Sequence, residues 1–248
     1  MINLSKISTD PPKILGKDDV EKETEKLVER LGTLQKMLMA NKKHAVLVVL
    51  QGMDGSGKDG AVENVFAKCT ASGVSVTAYK KPSDEEFAHD FLWRVHKNAP
   101  EKGQIRIFVR SHYEDILIQS VHNWIDGDRV KKRMAAINAF EELLAFDNNT
   151  LVLKFMLHIS PESQLEQLQQ RIDDPEKHWK HNDGDWEERK LWDKYVAAYE
   201  FALNHSSIPW TIVPVDKRWY RDYVIVKKIV EELEALAMKW PEMPAKKA

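Results

Sequence analysis

AVLVVLQGMDGSGKD, residues 45–59, joins an unbroken apolar run to a glycine-rich loop that closes on Lys58. A run of this length without polar alternation reads as a strand buried on both faces, as in a parallel sheet. The loop after it carries Gly52, Gly57 and Lys58 in the spacing G-x-x-x-x-G-K. Loops of this kind cradle phosphate. Their glycines let backbone N–H groups approach the anion, and the next helix adds the positive end of its dipole. A lysine at a helix start opposes that dipole and costs stability unless an anion is present. The spacing therefore predicts that Gly55, Gly57 and Lys58 hold a terminal or transferring phosphate.

The acids of the loop raise a second expectation. Asp54 and Asp59 would repel an anion unless a divalent cation lay between them and it. Magnesium suits that place, with manganese as its alternative, because it is usually held by one or two carboxylates plus phosphate oxygens. Asp54 at the loop tip is expected to bind the metal or take a substrate proton. Asp59 stands where serine or threonine commonly meets magnesium, and it reads equally well as a helix cap.

Working outward, apolar runs at 44–50, 74–79, 104–110, 150–159 and 210–215 alternate with helical periodicity, at about 58–70, 85–96 and 130–146, after Ser160-Pro161, and after 215. Repeated βα units predict an α/β three-layer sandwich around a parallel five-stranded sheet. Residues 1–18 read as a loose arm. Val20, Thr24, Leu27, Leu31, Leu34 and Leu38 form a narrow helical seam, packed on the chain's own sheet or on another subunit. Residues 171–200 break the pattern. They are strongly charged and contain Pro175, Gly184 and three tryptophans, between the fourth and fifth strands. A mobile lid would sit there in a nucleotide kinase, and a solvated helical insertion is the plain alternative. Lys177, Lys180, Arg189 and Lys190 favour the lid.

The third strand leads into a second cluster. Many phosphate-loop enzymes end this strand in a metal-supporting aspartate, but Val109 takes that position here. Arg110 follows at the carboxyl end, where ligands sit in open α/β sheets, and a guanidinium there can grip phosphate oxygens. Glu114 and Asp115, a turn later, either replace the missing acid or favour a helix start. His112 reads as a hydrogen-bonding histidine.

Composition limits the partners. With 37 basic and 39 acidic residues among 248, net charge predicts neither a nucleic-acid nor a membrane partner. Cys69 is the only cysteine, which excludes an internal disulfide and fits a reducing compartment. No apolar run approaches the roughly 20 residues of a membrane span, and MINLSKISTD lacks a signal-peptide core, so a cytoplasmic protein is expected.

GMDGSGKDG (52–60), HDFLWRVH (89–96), FVRSHYEDIL (108–117), INAFEELL (137–144), RIDDPEKHWK (171–180), ERKLWDKYVAAYE (188–200) and PWTIVPVDKRWYR (209–221) jointly resemble the polyphosphate kinase 2 enzymes, from about residue 10 to residue 236. The resemblance implies a thymidylate-kinase-like phosphate-loop fold with a helical lid. It also implies magnesium-dependent phosphoryl transfer between inorganic polyphosphate and nucleotides such as ADP, GDP or AMP, in a dimer or tetramer. By motif, Asp54 and Lys58 become the metal-binding or catalytic acid and the phosphate lysine. Arg110 becomes a catalytic arginine, and Glu114, with Asp115, lies by the nucleotide. Arg171, Lys177, Lys180 and Arg189 become the basic lid over the phosphates. Val109 departs from the family pattern, where Asp or Asn is expected. An ATP-dependent nucleoside or nucleoside-monophosphate kinase and an inactive nucleotide-binding regulator are the rival readings. No N-K-x-D guanine-reading motif is present.

Overall fold

Strand β1 (Ala45–Gly52) is buried along its whole length because it is hydrogen-bonded on both edges. The computed structural model describes residues 1–243. Its sheet has the order β2-β3-β1-β4-β5 and every pairing is parallel. The other strands are β2 (Val74–Ala78), β3 (Ile105–Val109), β4 (Thr150–His158) and β5 (Trp210–Pro214). Pairing of Leu50 with Val109 on one side and Phe155 on the other brings the ends of β1, β3 and β4 level. The loop after β1 therefore emerges between the segments that follow β3 and β4. The five strands lie where the apolar runs predicted, as the α/β reading required.

Helices cover both faces. They are α1 (Lys17–Asn41), α2 (Lys58–Val65), α3 (Asp84–Phe87), α4 (Trp93–His96), α5 (Ile118–Val121), α6 (Gly127–Asp147), α7 (Pro161–Asp173), α8 (Gly184–Arg189), α9 (Trp192–His205) and α10 (Arg218–Ala235). The seam on α1 buries Val20, Leu31, Leu34 and Leu38, and α1 lies along α10 of the same chain. Its apolar stripe is thus satisfied internally.

Three expectations differ from the structure. The helix expected over about 58–70 ends at Val65, and turns carry the chain on to Thr70. The single helix expected over 85–96 is two short ones, α3 and α4. Ser83 and Glu86 form a capping box that starts α3. Asp90 then accepts from the Leu92 amide at 2.9 Å, and that local turn competes with a continuous helix. The N-terminal arm is not loose. The Ile2 amide donates to Asn204 at 2.6 Å and the Leu4 amide to Glu200 at 2.8 Å. His158 donates to the carbonyls of Leu4 and Ile7, and the Thr9 hydroxyl to Asp216. Leu4 is fully buried, which explains why a short polar segment stays in place.

The core also contains a charged cluster. Lys154, in the middle of β4, donates to Glu141 of α6 at 2.5 Å and to the Tyr113 hydroxyl at 2.7 Å. His112 lies 3.1 Å from the other Glu141 oxygen, and the side chains of Lys154, Glu141 and His112 are all sealed from solvent. His112 is therefore a hydrogen-bonding core residue, as expected.

Candidate active site

The loop between β1 and α2 is shaped by its glycines. Gly55 and Gly57 have φ of 84° and 83°, a region that side chains rarely enter. A Cβ at Gly57 would also collide with the guanidinium of Arg221, which donates to the Gly57 carbonyl at 3.0 Å. Arg221 is itself buried and bound to Asp222, which accepts from Asn64 of α2 at 2.7 Å. The loop is thus braced from behind by α10.

Lys58 begins α2 and turns back into the loop, donating to the carbonyls of Gly52 and Met53 at 2.8 and 3.1 Å. Two of its three N–H donors are engaged this way. Burial pulls its pKa below the usual lysine value, against the opposing pull of Asp54, Glu114 and Asp59. A buried ammonium of this kind gains from the arrival of an anion.

Arg110 stands immediately after β3 with φ of 56°. A non-glycine residue in the left-handed region costs on the order of 1 kcal/mol or more and is kept where the surroundings over-determine it. Its amide donates to Leu50 at 3.0 Å, tying this turn to β1. Its guanidinium donates to Asp54 at 2.6 Å. Burial would raise the Asp54 carboxyl, but Lys58 and Arg110 outweigh it and hold the group below the usual range. Glu114 accepts from Gln51 at 3.2 Å. Burial pushes its carboxyl up despite Arg110, Gln51 and Lys58. Val109 is buried at the end of β3, so Glu114 is the acid after this strand that stands close to the loop.

Above the loop lies a cleft of about 240 Å³ whose lining includes Asp54, Arg110, Glu114, Gln164, Asp185 and Arg189. Trp192, Tyr195 and Tyr199 of α9 form one wall. Arg189 donates to Gln164 at 2.7 Å, and Arg171 is paired with Asp185. Asp185 has its carboxyl raised, first by burial and next by Asp54 across the same cleft. Glu188 joins His122 at 3.0 Å and the Tyr195 hydroxyl at 2.5 Å, linking α8 to α9 and the body.

Asp54, Lys58, Arg110 and Glu114 therefore converge beside Gly55 and Gly57. Arg189 reaches the cleft directly, and Arg171 through Asp185. The remaining expected residues lie elsewhere. Lys177 pairs with Asp174 at 2.9 Å, and the Lys180 ammonium sits over the Trp179 ring, both on the 3-10 turn Pro175–Lys180 outside the cleft lining. Asp59 is exposed on the first turn of α2. Asp115 turns away from Glu114. It pairs with Arg94 at 3.3 Å and borders a separate cavity of about 500 Å³ behind the 111–117 turn. Sequence reasoning missed Gln164, Asp185 and Arg221. For Gln164 a signal existed: it shares a helical face with Leu168, four residues on, so a polar side chain stands in a buried stripe.

Among the described residues no three His, Cys, Asp or Glu side chains gather into a metal-binding group. The cleft nonetheless fits magnesium of the phosphate-bound kind, since Asp54 and Asp185 share it and one or two carboxylates suffice when phosphate supplies the other oxygens.

A parallel sheet with a phosphate loop at its central strand, an arginine after β3 and arginines reaching in from above defines a kinase-type transferase of phosphoryl groups. The chain belongs to the polyphosphate kinase 2 family, whose model, polyphosphate kinase 2 (PPK2), matches residues 14–241. It is similar to the AMP/ADP-polyphosphate phosphotransferase of Meiothermus ruber, with 47% identity over 219 residues, covering 87% of this chain and 82% of that protein. It is also similar to the ADP-polyphosphate phosphotransferase of Rhodopseudomonas palustris, with 40% identity over 230 residues, covering 87% and 79%. Among solved structures, polyphosphate kinase 2 from Arthrobacter aurescens TC1 superposes with a TM-score of 0.95 at 38% identity, covering 99% of this chain and 89% of that one.

Proposed function

We propose that this protein moves a phosphoryl group reversibly between inorganic polyphosphate and nucleoside diphosphates, ADP or GDP, with AMP as a further acceptor. The observation that carries the reading is the Asp54–Arg110 pair in a cleft that Arg189 also lines, on a loop whose Gly52 and Met53 carbonyls are held by the buried Lys58. Family membership and the similarity to polyphosphate phosphotransferases support the choice of donor.

Phosphoryl transfer through a loose transition state needs alignment and charge neutralisation more than covalent catalysis. Lys58 and the backbone of Gly55 and Gly57 bind the oxygens of the phosphate chain entering the loop. Arg110, positioned by Asp54, places its remaining N–H donors toward the transferring group, and Arg189 approaches it from the lid. The tyrosines of α9 and the lid exclude water from the cleft, which strengthens each of these interactions. Glu114 stands beside Arg110 and Lys58, whose positive charges offset its own next to the phosphate chain. Magnesium, held by Asp54 and Asp185 together with phosphate oxygens, would neutralise charge shared by donor and acceptor.

The test is direct. Purified protein, polyphosphate and ADP are mixed without ATP, and ATP formation is followed with magnesium, with manganese and with a chelator. Formation that requires the metal supports the reading, and no ATP at any metal concentration sinks it. Light scattering on the same sample tests the homo-oligomer that belongs to this reading.

A further inference from the structure

We infer that Gln164 is a positioning residue that sets the tip of the phosphate loop and the lid arginine against each other, an inference resting on the phosphoryl-transfer reading above. Gln164 projects from α7 and is 3% exposed. A buried primary amide must find partners for both its ends. Its Nε2 donates to the Asp54 carbonyl oxygen at 3.0 Å, and its Oε1 accepts from the Arg189 guanidinium at 2.7 Å. The orientation of the amide follows from chemistry: a carbonyl can only accept and a guanidinium can only donate.

This one side chain therefore holds the peptide that carries the Asp54 carboxylate and, through its other end, the arginine of α8. Its partners lie 110 positions before it and 25 after it in the chain. The helix that presents it is firmly set. Ser160 caps α7 by accepting from the Ser163 amide, Pro161 occupies its first turn, and the Ser160 amide donates to Asp216 at 2.9 Å. The helix also presses on the loop directly, because a Cβ on Gly55 would stand 3.3 Å from Gln167 and 3.5 Å from Gln164. Seven residues beyond Gln164, the same helix sends Arg171 to Asp185 at the start of α8.

Only an amide of glutamine length meets both demands. Glutamate keeps the acceptor for Arg189 but loses the donor to Asp54 and adds charge beside that carboxylate. Methionine fills the volume with neither function. Asparagine is one methylene short.

Two measurements test the assignment. Amide hydrogen exchange on the free protein needs no turnover. Gln164→Met is expected to speed exchange in residues 52–57 and 184–189 by about tenfold, with the strands unchanged. Unchanged exchange in both segments overturns the proposal. In steady-state assays, Gln164→Met and Gln164→Glu should each lower kcat about tenfold or more while KM for ADP moves less than about threefold. Gln164→Met combined with Arg189→Ala should lose less than the product of the two single losses, since the Asp54 contact is the part that remains to be lost, and losses that multiply in full overturn the coupling. Should the methionine variant fail to fold, Gln164→Asn is read by the same criteria. A parent that makes no ATP from polyphosphate would sink the functional reading, and the exchange result would still decide the role of Gln164.

Discussion

Arg110 donates to Asp54 across 2.6 Å from a backbone held at φ of 56°, so the pair joins a strained turn after β3 to the tip of the phosphate loop. The strain is informative because an arginine could reach solvent from an ordinary conformation at no cost. Here the turn aims it at the loop.

Exchanging Asp54 for Asn should leave folding intact but release Arg110 and remove the carboxylate expected to hold the metal. The expected outcome is a fall in kcat of about a hundredfold or more, with a melting temperature within a few degrees of the parent. Arg110→Lys keeps the charge and loses the fork, and should cost about tenfold or more. Activity retained in both variants would remove this pair from the mechanism.

Glu114 gives a prediction of opposite sign for stability and activity. Burial raises its carboxyl above the ordinary glutamate value, so the folded protein binds that proton more tightly than the unfolded chain does. Stability is then lost as pH rises from the ordinary glutamate range through the higher folded value. Glu114→Gln should raise the melting temperature at pH 7, raise it less at pH 4, and lower turnover. Scanning calorimetry at the two pH values checks the sign.

The basic residues of the 171–200 segment should separate into two classes. Arg189 lines the cleft, so Arg189→Ala should raise KM for polyphosphate of every length, by about tenfold. Lys177 is bound to Asp174 on the 3-10 turn outside that lining, and Lys177→Ala should weaken only long polymers, in a way that salt erases. Equal effects on short and long chains would refute the division.

Inside the core, Lys154→Met should cost about 3–5 kcal/mol, because it leaves the buried Glu141 carboxylate without its partner. The double variant with Glu141→Gln should recover most of the loss, as measured by urea unfolding. Burial opposes the Glu141 charge, but His112 and Lys154 hold its pKa below the ordinary glutamate value. Its contribution is thus present above that value and disappears as pH falls through the lower folded one. Glu141→Gln should flatten the acid limb of the stability curve.

Strand positions were legible because a strand buried on both faces writes itself as an apolar run, unbroken over 45–50 in β1 and interrupted only by Lys154 over 151–157 in β4. The phosphate-loop lysine and the arginine after β3 were legible for a related reason: their chemistry depends on local spacing. The partners of Gln164 and Arg221 were not, since each contacts a loop 110 or more positions away; for Gln164 the helical pattern marks only a buried polar side chain, not what it meets. The break between α3 and α4 depends on one aspartate side chain outcompeting a helical turn, a local balance that periodicity does not weigh. Asp115 shows the limit of motif reading. Next to Glu114 in sequence, it faces another cavity because successive residues of a tight turn point in different directions.

The N-terminal arm bears on the cleft from a distance. By binding Asn204 and Glu200, it ties the far end of α9 to His158 at the end of β4 and to Asp216 just after β5. The tyrosine wall of the cleft, carried on that helix, is accordingly grounded in the body of the protein. The opposite wall, on α8, is held by side chains alone, through Arg171, Gln164 and His122. The two sides of the cleft thus differ in their anchorage: one is moored to the body through the arm, the other is pinned by three side chains.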